Sequence, residues 1–371
     1  MAGFIKGADI STMDELRELG ARYYDHGDEK DLLVILKSYG FNMIRLRLMV
    51  DPYSLEKESY GAGHDDLETV IKMGKKITDV GLPVLLDFQY SDFWADPGKQ
   101  IKPKVWKNHD LGQLEEDVFF YTKESLEKIL AAGVNVSMVQ VGNELTNGLL
   151  WPEGKKDGSK EGYDAIARLV SSGIRAVREV DEEIAIMIHL DNGGNNELYR
   201  TWFDNYFERG EDFDYIGMSY YPFWHGTLDS LEYNMNDISS RYDKPVTVVE
   251  VSMGFSMEDY GKYEGLEPGE RKGYATKKEL VEKIEYPMTE DGQAGFTEDF
   301  ITRIKNVKNG MGKGFFWWEP AWIPVPGSGW ATPASLEYMN DPGPCGNEWA
   351  NQALFDYEGN ALKALEIIKQ A

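Results

Sequence analysis

A single cysteine, a shortage of cations and no long apolar run mark this 371-residue chain. Cys345 has no second cysteine to pair with, so no intrachain disulfide holds the fold. No segment is apolar enough to span a bilayer, and the start MAGFIKGADIST lacks the apolar stretch of a signal peptide. Two compartments stay open: the cytoplasm, or export with a leader already removed. Lysine and arginine number 39 against 64 acids, a formal charge of −25. Such a surface repels nucleic acid, anionic membranes and acidic polymers, so a neutral ligand is expected. GxSxG, GxGxxG and HExxH are all missing, which removes the serine elbow, the phosphate loop and the zinc helix. DNGGNN (191–196) is glycine-rich without phosphate-loop order and reads as a turn between a strand and a helix.

What is present is a core and a pattern. Hydrophobic residues make up 42% and aromatics 13%, with 10 Trp and 21 Tyr, enough for a large core and an aromatic cleft. Eight short β-rich runs recur: 4–10, 43–49, 83–90, 136–144, 184–191, 215–221, 246–251 and 314–319. Helical patterns alternate with them, among them 31–40, 66–81, 124–133 and 164–180, and several end in a glycine suited to a helix C-cap. Eight strands, nearly all followed by a helix, predict an α/β chain closed into a (β/α)8 TIM barrel. No Pro/Ser linker, composition shift or repeat divides it, so residues 1–371 are expected to form a single catalytic domain that acts as a monomer. Long polar connections (11–30, 91–115, 252–296, 320–350) all follow strands and so gather on one face.

An apolar barrel strand has no packing reason to end in charge. Yet the second run carries Arg45 and Arg47 on one face, with Ile44, Leu46 and Leu48 on the other. The third offers Asp87 and Gln89, the fourth Asn143 and Glu144, the fifth His189 and Asp191, the sixth Tyr220 and Tyr221, the seventh Glu250, the eighth Trp318 and Glu319. Any one of these reads most simply as an ion-paired barrel residue; together they define a site. The fourth and seventh strands face across the mouth, so Glu144 and Glu250 can meet. Two carboxyl groups roughly 5 to 5.5 Å apart suit a retaining glycosidase, one protonating the leaving oxygen and the other attacking the anomeric carbon. Glu144 is the expected acid/base, kept protonated by Leu150 and Trp151, and Glu250 the nucleophile, kept ionised by Arg45 and Arg47. Trp94, Trp106, Trp151, Trp224, Trp317, Trp318, Trp322 and Trp330 fall mostly after strands, where flat faces can stack on sugar rings; Trp317 is expected to pack outward.

At these residues the sequence resembles the endo-β-1,4-galactanases of glycoside hydrolase family 53. The resemblance runs through GADIS (7–11), RLRLMVDPYS (45–54), LLDFQYSDFWADPGKQ (85–100), VQVGNE (139–144), SYYPFWHG (219–226), VVEVS (248–252), WEPAWIP (318–324) and NQALFDYEGN (351–360). It implies an endo-acting, retaining enzyme cleaving β-1,4-galactan in pectin side chains, with Glu144 as acid/base and Glu250 as nucleophile. It also implies substrate contacts from Arg45, Asp92, Trp94, Asn143, Tyr221 and Trp318; Arg47, Asp87, Gln89, His189, Asp191 and Trp322 join them from position alone. Two departures stand out. The family usually reads Asp-Phe-His on the third strand, and position 89 is Gln here. Many members hold calcium through a short Asp/Gly/His/Asn run after the seventh-strand glutamate, whereas this chain reads SMEDYGKYEGLEPGERKGYATKK. Glu258, Asp259 and Glu264 are too few and unevenly spaced for a hard cation. No metal or other cofactor is therefore expected, and Tyr260, Tyr263, Tyr274 and Tyr286 are expected to hold the loop. A β-glycanase acting on mannan or cellulose, or a sugar-binding barrel without catalysis, are the competing readings.

Overall fold

The computed structural model describes residues 3–258 and 276–371, apart from the side chain of Lys160. Eight parallel strands form a closed barrel: β1 (Ile5–Asp9), β2 (Met43–Leu48), β3 (Val84–Phe88), β4 (Val136–Val141), β5 (Ala185–Leu190), β6 (Tyr215–Tyr220), β7 (Val246–Val251) and β8 (Gly312–Trp318). Closure comes from β1, which pairs with β2 on one side and β8 on the other. All eight sequence-predicted strands are present: the seventh keeps its predicted ends, the eighth starts two residues earlier and ends one sooner, and the others are trimmed by one to three residues where loops take over.

Alternation along each strand sorts the side chains. Outward residues such as Ile44, Leu46, Leu48, Val139, Ile186 and Trp317 join the helices in one large core, which places Trp317 outward. Each strand also sends one residue to a layer at the closed end of the barrel: Ile5, Met43, Leu85, Met138, Met187, Tyr215, Val249 and Phe316. Gly7 makes room for the Phe316 ring, since a Cβ there would lie 2.2 Å from it.

The helices wrap this barrel. Leu32–Ser38 and Leu67–Asp79 begin at Asp31 and Asp66, whose carboxylates accept from backbone N–H groups of the first turn, and the chain leaves each through a glycine, Gly40 and Gly81, at positive φ. The fourth-strand approach differs from expectation. A single helix runs Leu111–Ala131 where only 124–133 was predicted, because Asp110 and Gln113 form a capping box and Leu114, Val118, Leu126 and Ile129 continue one buried stripe. No helix among the described residues is long and apolar enough to cross a membrane.

Candidate active site

Above the apolar layer the barrel interior turns polar. Arg45 and Arg47 point inward from β2 as alternation requires, and both are almost fully buried. Arg45 pairs through Nη1 with Asp9 Oδ2 (2.8 Å) and Glu250 Oε1 (2.9 Å) and through Nη2 with Asp87 Oδ2 (2.9 Å). It also donates to Asn143 Oδ1 (2.9 Å) and Gln140 Oε1 (3.2 Å). Burial alone would lower its affinity for a proton, but Asp87, Glu250 and Asp9 more than offset this and leave it raised. Arg47 instead pairs with Asp9, Asp65 and Glu319, at 2.7 to 3.1 Å, and its guanidinium lies 4.8 Å from the Trp94 ring. Asp87 is pushed up to about 7 by burial, held back by Arg45 and the Gln89 amide; burial also takes Glu319 to about 7 against the pull of Arg47.

The two glutamates reach the cavity by irregular backbone. On β7, Val249 faces the apolar layer while Val248 and Val251 face the helices, so regular alternation would turn Glu250 outward. A register shift between β6 and β7 pairs Ser219 with Glu250 and brings the carboxylate inside, a re-aiming that bulges commonly provide. Glu144 lies past the end of β4 in the left-handed region at φ 48°, right after Gly142 and Asn143, an uncommon conformation of the kind concentrated at functional sites. Its Oε1 accepts from Ser219 Oγ (2.6 Å), and Glu250 Oε2 accepts from Tyr221 Oη (2.8 Å).

These surroundings separate the pair. Burial, then the Glu250 and Asp191 carboxylates, push Glu144 well above the ordinary range, with Ser219 opposing. Glu250 is also raised by burial, but Arg45 and Tyr221 oppose the shift. Glu144 moves in the direction the sequence reading expected, whereas Glu250, expected to be held ionised, is raised as well because burial outweighs its partners. Leu150 belongs to the core, and Trp151 donates its indole N–H to Asn147 O; neither lines the cavity, because the chain carries both past the site. Of the two arginines, only Arg45 pairs with Glu250.

Glu144 and Glu250 share one cavity of about 510 Å³. Arg47, Gln89, Trp94, Asn143, Asp191, Tyr221, Trp318 and Trp322 line it, as the sequence reading placed them. Four expected substrate contacts do not reach it: Arg45, Asp87, Asp92 and His189 are fully buried behind it. Asp92 turns away to hold Lys104 (2.8 Å) and the Asp51 N–H (3.0 Å), and the other three bind one another's partners beneath the floor. Gln89 donates to Asp87 (2.5 Å) and accepts from the Ala95 N–H (3.1 Å). Trp224 and Trp330 join the lining, whereas Trp106 packs into the core. Tyr220 also leaves the site, stacking on Phe296 and Phe300.

Sequence reasoning missed Asp96, Lys99, Asn192, His225, Glu348 and Trp349 in the lining and Ser219 beneath it. Ser219 was findable, two residues before Tyr221 and so on the same strand face, and so was Trp349, a tryptophan in the connection 320–350 that already gathers on this face. Of the loop expected to lack calcium, residues 259–275, with Asp259, Tyr260, Tyr263, Glu264 and Tyr274, lie outside the described residues. Among those described, no three His, Cys, Asp or Glu side chains are grouped to hold a metal. Tyr286 packs on Phe296 and donates to Asp299 (2.6 Å).

A closed (β/α)8 barrel that brings carboxyl groups from β4 and β7 into one tryptophan-walled cavity defines a glycosidase of the paired-carboxylate class. The family model described as glycosyl hydrolase family 53 matches residues 5–368, and the chain belongs to that family. It is 36% identical to an endo-beta-1,4-galactanase of Bacillus subtilis over 99% of this chain and 86% of the relative. It is 33% identical to an arabinogalactan endo-beta-1,4-galactanase of Humicola insolens over 98% of each. Among solved structures, the family 53 catalytic domain of Ignisphaera aggregans superposes with a TM-score of 0.88 at 37% identity, covering 98% of this chain and 95% of that one.

Proposed function

We propose that this enzyme cleaves internal β-1,4-galactosidic bonds of galactan and type I arabinogalactan, the neutral side chains of pectin, by retaining double displacement. One observation carries the assignment of roles. In a shared cavity, Glu250 has a guanidinium and a phenol holding its charge, while Glu144 has only the Ser219 hydroxyl to hold its charge and three nearby carboxylates, Glu250, Asp191 and Asp96, favouring its proton. The names of the Bacillus and Humicola relatives support the substrate.

In the first step the Glu250 carboxylate attacks the anomeric carbon, the bond to the leaving oxygen breaks, and Glu144 transfers its proton to that oxygen. A galactosyl ester on Glu250 results. In the second step Glu144 takes a proton from water, the hydroxyl oxygen attacks the same carbon, and the ester bond returns its electrons to Glu250. Arg45 and Tyr221 stabilise the carboxylate as it departs. Sugar units have a continuous aromatic wall to lie against: Trp94 and Trp318 are 6.0 Å apart, Trp318 and Trp349 5.0 Å, Trp349 and Trp224 6.1 Å between ring centroids.

The test is hydrolysis of purified potato galactan, mannan and cellulose, with the anomer released first read by proton NMR. Shortened galactan chains with β ends are expected. Equal or faster cleavage of mannan or cellulose would move the substrate, α ends would exclude the retaining route, and binding without cleavage would favour the sugar-binding reading.

A further inference from the structure

Beneath the cavity a line of hydrogen bonds joins the two glutamates, and its direction can be worked out. Arg45 has donors only. It donates to Asn143 Oδ1 (2.9 Å), which also receives Gln140 Nε2 (3.0 Å). Both amide orientations are fixed by neighbours: Asn143 Nδ2 donates to Ala95 O (2.8 Å), and Gln140 Nε2 donates to Asp87 Oδ1 (2.7 Å) while its Oε1 accepts from Arg45. That leaves Gln140 Nε2 one hydrogen, which faces Gly142 O (3.0 Å), Asn143 Oδ1 (3.0 Å) and His189 Nδ1 (3.1 Å) together, so the direction is set from the other end. An ionised Glu144 carboxylate can only accept, and Ser219 Oγ gives its one hydrogen to Oε1 (2.6 Å). Oγ must then accept from His189 Nε2 (2.8 Å), which places the proton of the neutral ring on Nε2 and leaves Nδ1 an acceptor.

We propose that Ser219 and His189 are positioning residues that fix Glu144 Oε1 as the accepting oxygen, and so confine the transferable proton to Oε2. The inference rests on Glu144 being the acid of the proposed reaction. Arg45 touches both ends of the machinery: it pairs with the Glu250 carboxylate and holds Asn143, whose Oδ1 lies 3.0 Å from His189 Nδ1. No bond is made or broken in the line during turnover; Ser219 donates to Oε1 whether Oε2 carries its proton or not. The titratable groups facing this line are known from every side. Glu250 from β7, Asp191 at the end of β5 and Asp96 from the loop after β3 face Glu144, and all three favour its proton. Arg45 from β2 and His225 after β6 face His189 and, after burial, keep its ring neutral.

Two measurements test this. In the wild-type enzyme carrying ¹⁵N-labelled histidine, His189 is expected as the neutral Nε2–H tautomer from pH 5 to 8; an Nδ1–H tautomer or a charged ring overturns the inference. Ser219→Ala removes the donor to Oε1, which stabilises the ionised form, so the alkaline limb of kcat/KM should move up by about half a pH unit or more. Turnover of galactan should drop about tenfold or more while an aryl galactoside with a good leaving group loses little, and Ser219→Thr should restore both. An unmoved limb with equal losses on the two substrates refutes the role. Failure of the wild type to cleave galactan would instead refute the proposed function, and the tautomer would still be readable.

Discussion

The two levels of the barrel interior are built from the same eight strands yet obey different physics. At the closed end, Ile5, Met43, Leu85, Met138, Met187, Tyr215, Val249 and Phe316 fill space without a charge among them. One turn of alternation further, Asp9, Arg45, Asp87, Gln140, His189 and Glu250 are as buried, but every one is held by a partner from another strand. The lower level tolerates loss by volume; the upper level tolerates only exchange of partners. Removing one guanidinium leaves several carboxylates without a countercharge, and the shared geometry fails together.

The sharpest break of that contrast lies in chemistry. Glu250→Ala should lower turnover by at least ~10³-fold, with azide restoring activity and giving an inverted product. Wild-type turnover in that variant would remove Glu250 from its role. Arg45→Met should cost about 3–5 kcal/mol in urea unfolding, as it strands Asp9, Asp87 and Glu250, and should abolish activity as well. In the apolar level Phe316→Ala should cost a similar ~3–5 kcal/mol through a cavity, yet keep the pH profile of whatever activity survives. If both variants shifted the pH limbs alike, the two levels would not be separable.

A subtler test uses the raised carboxyl groups. Glu144 is pushed well above its unfolded value, and Asp87 and Glu319 to about 7. A carboxyl raised in the folded state contributes stability below its unfolded value near 4.3, and that contribution is lost as pH climbs through the folded value. Stability should therefore decline from about pH 4 to beyond 7. Glu144→Gln removes one such group, so it should unfold less readily than wild type at pH 8 and converge with it near pH 4. The same variant should suffer far more on galactan than on activated aryl galactosides. Parallel stability curves would contradict the burial of a charge at Glu144. The smallest expected effect is that of a chelator: EDTA should leave melting temperature and activity unchanged, and a drop of several degrees reversed by calcium would show a bound ion after all.

Much of this was written in the chain. Period-two apolar runs fixed eight strands, because a parallel barrel strand buried on both faces must be apolar outward and can be charged only inward. The same alternation put Arg45 and Arg47 on one face, and the position of Asn143 and Glu144 after a valine-rich run marked the site's rim. The capping box at Asp110 was equally visible, and only the weight given to a polar stretch hid the helix that follows it.

Other features needed the folded molecule. Glu250 would face the helices by its own alternation, and only the register of β7 against β6 turns it inward. Arg47 meets Glu319, 272 residues away, while Arg45 takes Glu250, a choice no local pattern contains. Local sequence sets which way a side chain leaves its own strand, since that depends on nearest-neighbour sterics. Which groups then share a hydrogen bond depends on stagger between strands, and stagger is a property of the closed barrel as a whole.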